Sequence, residues 1–235
     1  MKKLKTALCT VLALCFIAAI AYSGYRIWLI QADYGEEARM HDAIMDYRPE
    51  PQPEQGNQKI IDLQAQYPDA VGWLTVPNTN IDYPFVQYTD NGYYLRRDMN
   101  GSHAAAGTLF MDCRCDKAFL SRNTILYGHH MKNGSMFGTL KSFGEKDFFE
   151  ANRYGTVYLP GKTLTLEFFA YIIVDPSTES EIYNIDLSGG YFAYTKQSAK
   201  QYRDMDFTPE DRIVTLSTCA YEFDNARMVL LGKIT

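Results

Sequence analysis

The sequence predicts a mainly β catalytic domain, closed into a β-barrel, behind an N-terminal membrane helix. From Trp73 onward, short β-type runs are separated by turn residues, without regularly alternating helices. This pattern favours a sandwich or barrel over a parallel βαβ sheet, and we predict a barrel. The predicted strands are GWLTV, IDYPFVQ, GTLFMD, NTILY, GTVYL, TLEFFAYIIV, RIVTLST and RMVLLGKIT.

The N-terminal stretch has the composition of a transmembrane helix. No charged residue occurs from Thr6 to Tyr25, and apolar residues resume after Arg26 and continue to Ile30. This length is about the 20 residues that a bilayer-spanning helix needs. We therefore predict a cytoplasmic tip and membrane anchor over residues 1–31.

Charges on either side of the anchor predict its orientation. Lysines precede it, and Asp33, Glu36 and Glu37 follow it. The positive-inside rule then places the N-terminus in the cytoplasm and the rest of the chain outside the cell membrane. A cleavable signal peptide is the alternative, because Ala19-Ile20-Ala21 has a small-x-small form. The apolar residues that continue beyond this site favour a retained anchor.

Two helices are predicted between the anchor and the barrel. Residues 33–47 carry apolar side chains at roughly helical spacing, which indicates an amphipathic helix leaving the membrane. The segment PEPQPEQGN (49–57) breaks it, and Asn57 is a candidate cap for a helix over 58–66. We assign 32–56 to a membrane-proximal helix and Pro-rich linker, and 57–235 to the catalytic domain.

A long connection between two late strands contains a further predicted helix. Between Val174 and Arg212, a polar stretch precedes residues that share one helical face. The connection is either a wall of a binding site or a packing appendage. The residues on that face are Tyr191, Tyr194, Ser198, Tyr202 and Met205.

Composition excludes several classes of protein. At 235 residues, with 46% hydrophobic and 22% charged residues, the chain fits one globular domain with appendages. The net charge of −5 argues against a nucleic-acid partner. The tight basic cluster is confined to Lys2, Lys3 and Lys5, before the anchor.

The five cysteines divide between the membrane segment and the outer domain. Cys9 and Cys15 lie in the apolar segment, which leaves Cys113, Cys115 and Cys219 outside it. Extended residues two apart are poorly placed for a disulfide, so Cys113 and Cys115 are predicted to be unpaired. The left-over thiol is a candidate for chemistry.

The last two predicted strands place a thiol near a cation. Cys219 ends the run that starts at Arg212, and Arg227 opens the next run after seven residues. If the two strands pair antiparallel, Cys219 and Arg227 meet at one end of the sheet. A cation there lowers a thiol pKa and can stabilise an oxyanion.

A histidine pair follows the strand NTILY and supplies the candidate base. Histidine suits this task near neutral pH, and one of His129 and His130 can face Cys219 if the chain is extended there. An inert cysteine or a surface histidine pair is the simpler interpretation of these spacings. A zinc site that includes Cys113 and Cys115 is conceivable, but the spacings do not match familiar zinc patterns.

These motifs resemble those of the sortases, and of class B in particular. The run TLSTCAYEFDNAR (215–227) is similar to the sortase active-site signature. The resemblance extends through NTILYGHHMKNGSMFGTL (123–140), GWLTVPNTNIDYPFVQ (72–87) and DNGYYLRRD (90–98). It covers most of the chain from about residue 57 onward.

The resemblance implies a fold and a set of site residues. The fold is an eight-stranded β-barrel with N-terminal helices and a helix before the cysteine strand. The nucleophile falls on Cys219, the histidine on His129 and the arginine on Arg227. Ser217 matches a position implicated in class B sites, and the backbone N–H of Ala220 is a candidate second oxyanion donor.

The resemblance also implies an activity and its partners. Sortases are extracytoplasmic cysteine transpeptidases, mainly of Gram-positive bacteria. They cleave a C-terminal sorting signal of a secreted protein after threonine and transfer the protein to an amine of a peptidoglycan precursor. No metal or organic cofactor is expected. The alternatives are a pilin-polymerising sortase, a plain cysteine protease and a non-catalytic membrane-anchored barrel.

Overall fold

The structure, a computed structural model, describes residues 2–51, 57–187, 189–219 and 225–235, and the side chains of these ranges apart from those of 2–4 and 219. The chain divides into two compact units, Met1–Ala43 and Ile44–Thr235.

The first unit is a single long helix. Helix α1 spans Lys2–Ile44, so the predicted anchor and membrane-proximal helix are continuous. Its apolar side chains are exposed, as with Phe16 at 71% and Ile20 at 68%. By length and composition, α1 is long and apolar enough to cross a membrane, and it could serve as an anchor.

The described residues of the second unit form nine strands. Each of the predicted strand runs forms a strand, and a two-residue strand is added in the long connection. The strands are β1 (Ala70–Thr75), β2 (Asp82–Val86), β3 (Leu109–Met111), β4 (Asn123–Tyr127), β5 (Tyr154–Leu159), β6 (Lys162–Val174), β7 (Gln201–Tyr202), β8 (Ile213–Cys219) and β9 (Arg227–Ile234).

Eight of these strands close into a barrel, which confirms the predicted fold. The sheet order is β5-β1-β2-β3-β4-β8-β9-β6-β7, and β5 also pairs with β6. That last pairing joins the two ends of the eight-stranded sheet, while β7 extends from β6 outside the ring. Two of the pairings are parallel, β2 with β3 and β4 with β8.

The barrel interior is filled by aromatic and aliphatic side chains. Phe85, Phe137, Phe143 and Phe168 each have 0% of their surface exposed. Burying a side chain of this size contributes about 1.5–3 kcal/mol. Phe143 and Phe168 meet edge to face at 5.5 Å between ring centroids. The barrel therefore has a packed core, not a channel.

Helix α2 spans Gln58–Gln66, as predicted, but the predicted cap acts differently. Asn57 stands at the N-cap position, yet its side chain makes no capping hydrogen bond. Its amide Nδ2 instead donates to the carbonyl of Leu159 at 2.7 Å. This hydrogen bond connects the start of α2 to the last residue of β5. Asn57 is buried, so its amide is satisfied by this carbonyl and not by the helix backbone. A further short helix, α3, spans Lys146–Ala151.

The long connection between β6 and β8 corrects one prediction. Helix α4 spans Tyr191–Ser198 and ends well before Met205, because the chain becomes extended at Ala199 and enters β7. Residues from both elements still pack on one apolar cluster with β6, β8 and β9. The predicted residues therefore do share one packing surface, but α4 and the segment around β7 form it together. A 3₁₀-helix, Ser180–Tyr183, precedes α4.

Candidate active site

One edge of the barrel collects the ends of the strands that carry the predicted site residues. Strands β4 and β8 are parallel, so both end at this edge, and β9 begins there. The antiparallel register pairs Cys219 with Arg227, as predicted. The parallel register pairs Tyr127 with Ser217, two residues before His129 and Cys219 respectively. Neighbouring strands lie about 4.8 Å apart, so the three predicted residues belong to one small region.

Cys219 is the last residue of β8, and its side chain lies outside what the structure describes. Its backbone still belongs to the β8–β9 ladder. Ala220, the predicted backbone donor, lies outside the described residues.

His129 is placed by close backbone packing directly after β4. Gly128 donates its N–H to the carbonyl of Ser217 at 3.2 Å, which carries the contact with β8 one residue past the strand. A Cβ at Gly128 would stand 2.3 Å from a side-chain atom of Leu109 and 2.8 Å from the ring of Phe137, so only glycine fits. The carbonyl of His129 accepts from Phe137 N–H at 3.0 Å. The backbone of His129 is therefore held from two sides.

The environment of His129 favours its neutral form. Burial lowers the pKa of the imidazole below its usual value, and the positive charge of Arg96 lowers it further. A neutral imidazole can accept a proton from a thiol, as a general base must. Charge on a nearby thiolate would act in the opposite direction.

Arg227 is half-buried and oriented by its own backbone. Its Nη1 donates to the carbonyls of Asn225 and Ala226, at 3.0 Å each. Asp175, which follows the β6 residue paired with Arg227, has its pKa lowered by hydrogen bonds from Ser177 and more weakly by Arg227. The guanidinium thus lies at the site edge, near enough to Asp175 for its positive charge to lower the pKa of that carboxyl.

Ser217 is buried beneath this edge, with 2% of its surface exposed. Its hydroxyl shares a hydrogen bond of 2.8 Å with the hydroxyl of Tyr183, from the long connection. The ring of Tyr183 stacks on that of Tyr127, with 6.3 Å between centroids and 22° between planes. The 3₁₀-helix before α4 therefore contacts both strands that lead into the site.

His130 forms an isolated β-bridge with Met136, and His103 forms one with Arg97. His41 lies in α1, in the other unit.

Cys113 and Cys115 are free thiols, as predicted. Burial raises the pKa of Cys115 to about 11, so this thiol stays protonated and inert. Within the described part of the chain, no three or more His, Cys, Asp or Glu side chains are grouped as metal ligands would be.

Comparison with known proteins agrees with this architecture. Residues 74–235 match the model of the sortase domain family. The chain is 34% identical to sortase B of Listeria monocytogenes over 99% of this chain and 98% of that protein.

Among solved structures, sortase B from Bacillus anthracis in complex with AAEK1 has a TM-score of 0.75 at 33% identity, covering 87% of this chain and 98% of its own. A class B sortase of Streptococcus pyogenes, described as involved in pilus biogenesis, has a TM-score of 0.69 at 34% identity, covering 74% and 97%.

These findings define the class of protein as a sortase barrel in which the cysteine strand ends at one rim. The chain belongs to the sortase family. Its relatives are class B sortases, which confirms the resemblance seen in the sequence. Membership of this family implies cysteine transpeptidase activity in general.

Sequence reasoning missed three side chains beside the predicted site. The sequence pattern places Tyr127 in a strand and Tyr183 in a polar stretch, and it gives no particular role to Arg96. The aromatic residue just before Gly128-His129 was a usable signal for Tyr127. The other two approach from loops distant in sequence, so no spacing pattern reveals them.

Proposed function

We propose that this sortase cleaves the C-terminal sorting signal of secreted proteins after threonine, through a Cys219 thioester, and transfers them to a cell-wall amine. The observation that carries the proposal is the register of Cys219 with Arg227 at the edge where His129 follows β4. This arrangement supports a nucleophile, a base and a cation within one small region. A thiol chemistry of this kind needs all three.

The first half of the reaction forms the acyl-enzyme. The Cys219 sulfur attacks the threonine carbonyl while His129 holds the thiol proton. The C–S bond forms, the carbonyl oxygen becomes an oxyanion, and the peptide C–N bond then breaks. His129 gives its proton to the leaving amine. The threonine remains bound to the enzyme as a thioester.

Positive charge and backbone donors would stabilise the oxyanion. Arg227 has one guanidinium nitrogen bound to backbone carbonyls, which fixes the orientation of the fork. The N–H of Ala220 is the natural second donor, and the buried Ser217 would support the site from beneath. Removing one such donor typically costs about 10²–10³ in rate.

The second half of the reaction transfers the acyl group. An amine of a peptidoglycan precursor attacks the thioester carbonyl, an amide bond forms, and the Cys219 thiol is regenerated. Water can replace the amine, which gives hydrolysis. No step needs a metal or an organic cofactor.

The apolar helix α1 would place this chemistry at the outer face of the cell membrane. Lysines at the start of α1 and carboxylates after its apolar stretch favour a cytoplasmic N-terminus and an extracytoplasmic barrel. Both the secreted substrate and a lipid-linked acceptor are concentrated at that face. Tethering therefore reduces their search to two dimensions.

A pilin-polymerising sortase is the second candidate, because the similar Streptococcus pyogenes enzyme is described as involved in pilus biogenesis. The acceptor would then be a lysine amine of another pilin subunit. The chemistry at Cys219 is the same in both cases. The identity of the acceptor separates them.

The test uses the full chain in detergent micelles with a panel of sorting-signal peptides, NPxTN-like and others. Peptides are incubated with and without an amine acceptor, either a peptidoglycan stem peptide or a lysine peptide. Mass spectrometry should reveal a threonyl adduct on Cys219 and an amine-dependent ligated product. Cys219→Ala should abolish both, while the matched control Cys113→Ala, at an exposed thiol, should retain both.

Three other outcomes would redirect the proposal. Cleavage without ligation would indicate a protease. Ligation to the lysine peptide alone would favour pilin polymerisation. Absence of both adduct and cleavage across the panel would favour a non-catalytic binding barrel.

A further inference from the structure

Beneath the site edge lies a buried carboxylate that the proposed chemistry does not use. Asp112, just after β3, has 0% of its surface exposed. Its two carboxylate oxygens accept from Nε and Nη2 of Arg114 at 2.9 and 2.8 Å. The hydroxyl of Tyr127 donates to the same carboxylate at 3.0 Å. A buried charge is tolerated only when it is paired in this way, so its partners are held in fixed places.

The carboxylate is connected to both strands that lead into the site. Tyr127 hydrogen-bonds to Asp112 and stacks on Tyr183, whose hydroxyl contacts that of Ser217. Tyr127 precedes His129 by two residues, and Ser217 precedes Cys219 by two. These contacts therefore reach the strand positions directly before His129 and Cys219, and the distance between these two side chains governs the proposed proton transfer.

We propose that Asp112 is a positioning residue for the Cys219–His129 pair, acting through Tyr127, Tyr183 and Ser217. The inference rests on the proposed function, because it concerns the geometry of the proposed nucleophile and base. Asp112 contacts no reacting atom. It fixes the Tyr127 ring, the ring orients Tyr183, and Tyr183 holds the buried end of β8.

The protonation states keep this chain of contacts intact. Burial by itself would raise the pKa of Asp112, but hydrogen bonds from Arg114 and Tyr127 outweigh it and hold the pKa below its usual value. Burial and the nearby Asp112 raise the pKa of Tyr127 well above that of a free tyrosine. Tyr127 therefore remains a donor and Asp112 an acceptor at neutral pH.

The backbone around Asp112 is held by hydrogen bonds of its own. The side-chain amide of Gln87 donates to the backbone carbonyls of Asp112 and Cys115, at 2.9 and 2.7 Å. The N–H of Asp112 donates to the carbonyl of Ile125 at 2.9 Å. These three bonds hold the loop backbone without the carboxylate, and the fourth, from Arg114 N–H to Asp112 Oδ1 at 2.9 Å, has an equivalent acceptor oxygen in asparagine. Changing the carboxylate can then disturb Tyr127 without unfolding the loop.

A double-mutant cycle tests the transmission. Asp112→Asn, Ser217→Ala and the double variant are made in the full chain, and the rate of thioester formation is measured by rapid-quench mass spectrometry. Each single variant should lower the rate about tenfold, the effect expected when one buried hydrogen bond is weakened or lost. If one path carries both effects, the double variant should also lose about tenfold.

Two outcomes of this cycle would overturn the proposal. A loss of about a hundredfold in the double variant would show independent effects, and an unchanged rate in Asp112→Asn would remove the role. Tyr127→Phe keeps the ring and deletes the hydroxyl, so it should reproduce Asp112→Asn and replaces it if that variant does not fold. The matched control Asp116→Asn, at an exposed carboxylate of the same loop, should keep the wild-type rate.

Failure of the proposed function can be recognised separately. A wild-type chain that forms no thioester would refute the transpeptidase proposal. The cycle is then measured by iodoacetamide alkylation of the Cys219 peptide, which needs only a reactive thiolate. Non-additive alkylation rates would sustain the positioning role, and additive or unchanged rates would overturn it.

Discussion

Two regions of the barrel differ in what holds them together. The wall formed by β1, β5 and β6 is sealed by apolar groups, with Trp73, Leu166 and Phe168 each 0% exposed. The seam between β4 and β8 instead buries polar groups. Thr215 donates its hydroxyl to the side-chain oxygen of Asn123 at 2.7 Å, and Ser217 contacts Tyr183 further along the same seam.

The polar seam holds the long connection in place at two points. Asn123 Nδ2 donates to the carbonyls of Ile182 and Asn184, at 3.3 and 3.0 Å. Tyr183, between them, reaches Ser217. Apolar packing is roughly proportional to area and has no direction, whereas hydrogen bonds fix orientation. The barrel therefore buries polar groups where a loop must keep one position over the predicted site.

The largest expected effect is on the apolar wall. Phe168→Ala should lower the free energy of unfolding by about 3–5 kcal/mol, because it deletes a fully buried ring and leaves a cavity. Thioester formation per folded molecule should change little. Urea denaturation of residues 44–235, followed by circular dichroism, measures the first quantity. The control Leu120→Ala, at a side chain 63% exposed, should be nearly neutral, and equal losses in both variants would contradict the packing argument.

The next effect is on chemistry at the polar edge. Arg227→Lys should lower the rate of thioester formation by about 10²–10³, since lysine cannot reproduce the planar fork that faces an oxyanion. Stability should change by less than about 1 kcal/mol at this half-buried position. Single-turnover kinetics on a sorting-signal peptide provide the check. A wild-type rate in this variant would remove Arg227 from the chemistry.

A smaller loss is expected in the seam itself. Asn123→Ala should lower the free energy of unfolding by about 2–3 kcal/mol, because it leaves Thr215 and two loop carbonyls without their partner. Its neighbour Thr124 offers a matched control. The Thr124 hydroxyl is buried without a hydrogen-bond partner among the described residues. Thr124→Val should therefore be neutral or stabilising in the same urea titration. An equal loss of stability in both variants would contradict the role assigned to the hydrogen bonds of Asn123.

The smallest effect concerns pH. Arg96→Gln removes a positive charge that lowers the pKa of His129, so that pKa should rise. The limb of the pH–rate profile assigned to His129 should then move to higher pH, by less than one unit, because Arg96 is exposed and screened by water. Added salt should shrink the difference between the variant and wild type. A shift of this limb to lower pH would contradict the prediction. The control is Arg97→Gln, because the guanidinium of Arg97 lies over the Tyr93 ring.

Patterns local in sequence predicted much of this fold. The short β-type runs separated by turn residues predicted every strand of the closed barrel, and helix α2 occurs over Gln58–Gln66 as expected. The pairing of Cys219 with Arg227 followed from two strands joined by a short loop. The predicted extent of α4 was wrong, because the apolar face beyond Ser198 is completed by β7.

Sequence alone determined the class of protein, the apolar helix and the residues that the family resemblance assigns to the site. Tertiary structure decided which side chains surround them: Arg96 beside His129, Tyr183 against Ser217, and the buried Asp112 that accepts from Tyr127. The physical reason is distance along the chain. Periodicity and turn chemistry act between near neighbours, whereas these contacts join segments that meet only when the eight strands close into a barrel.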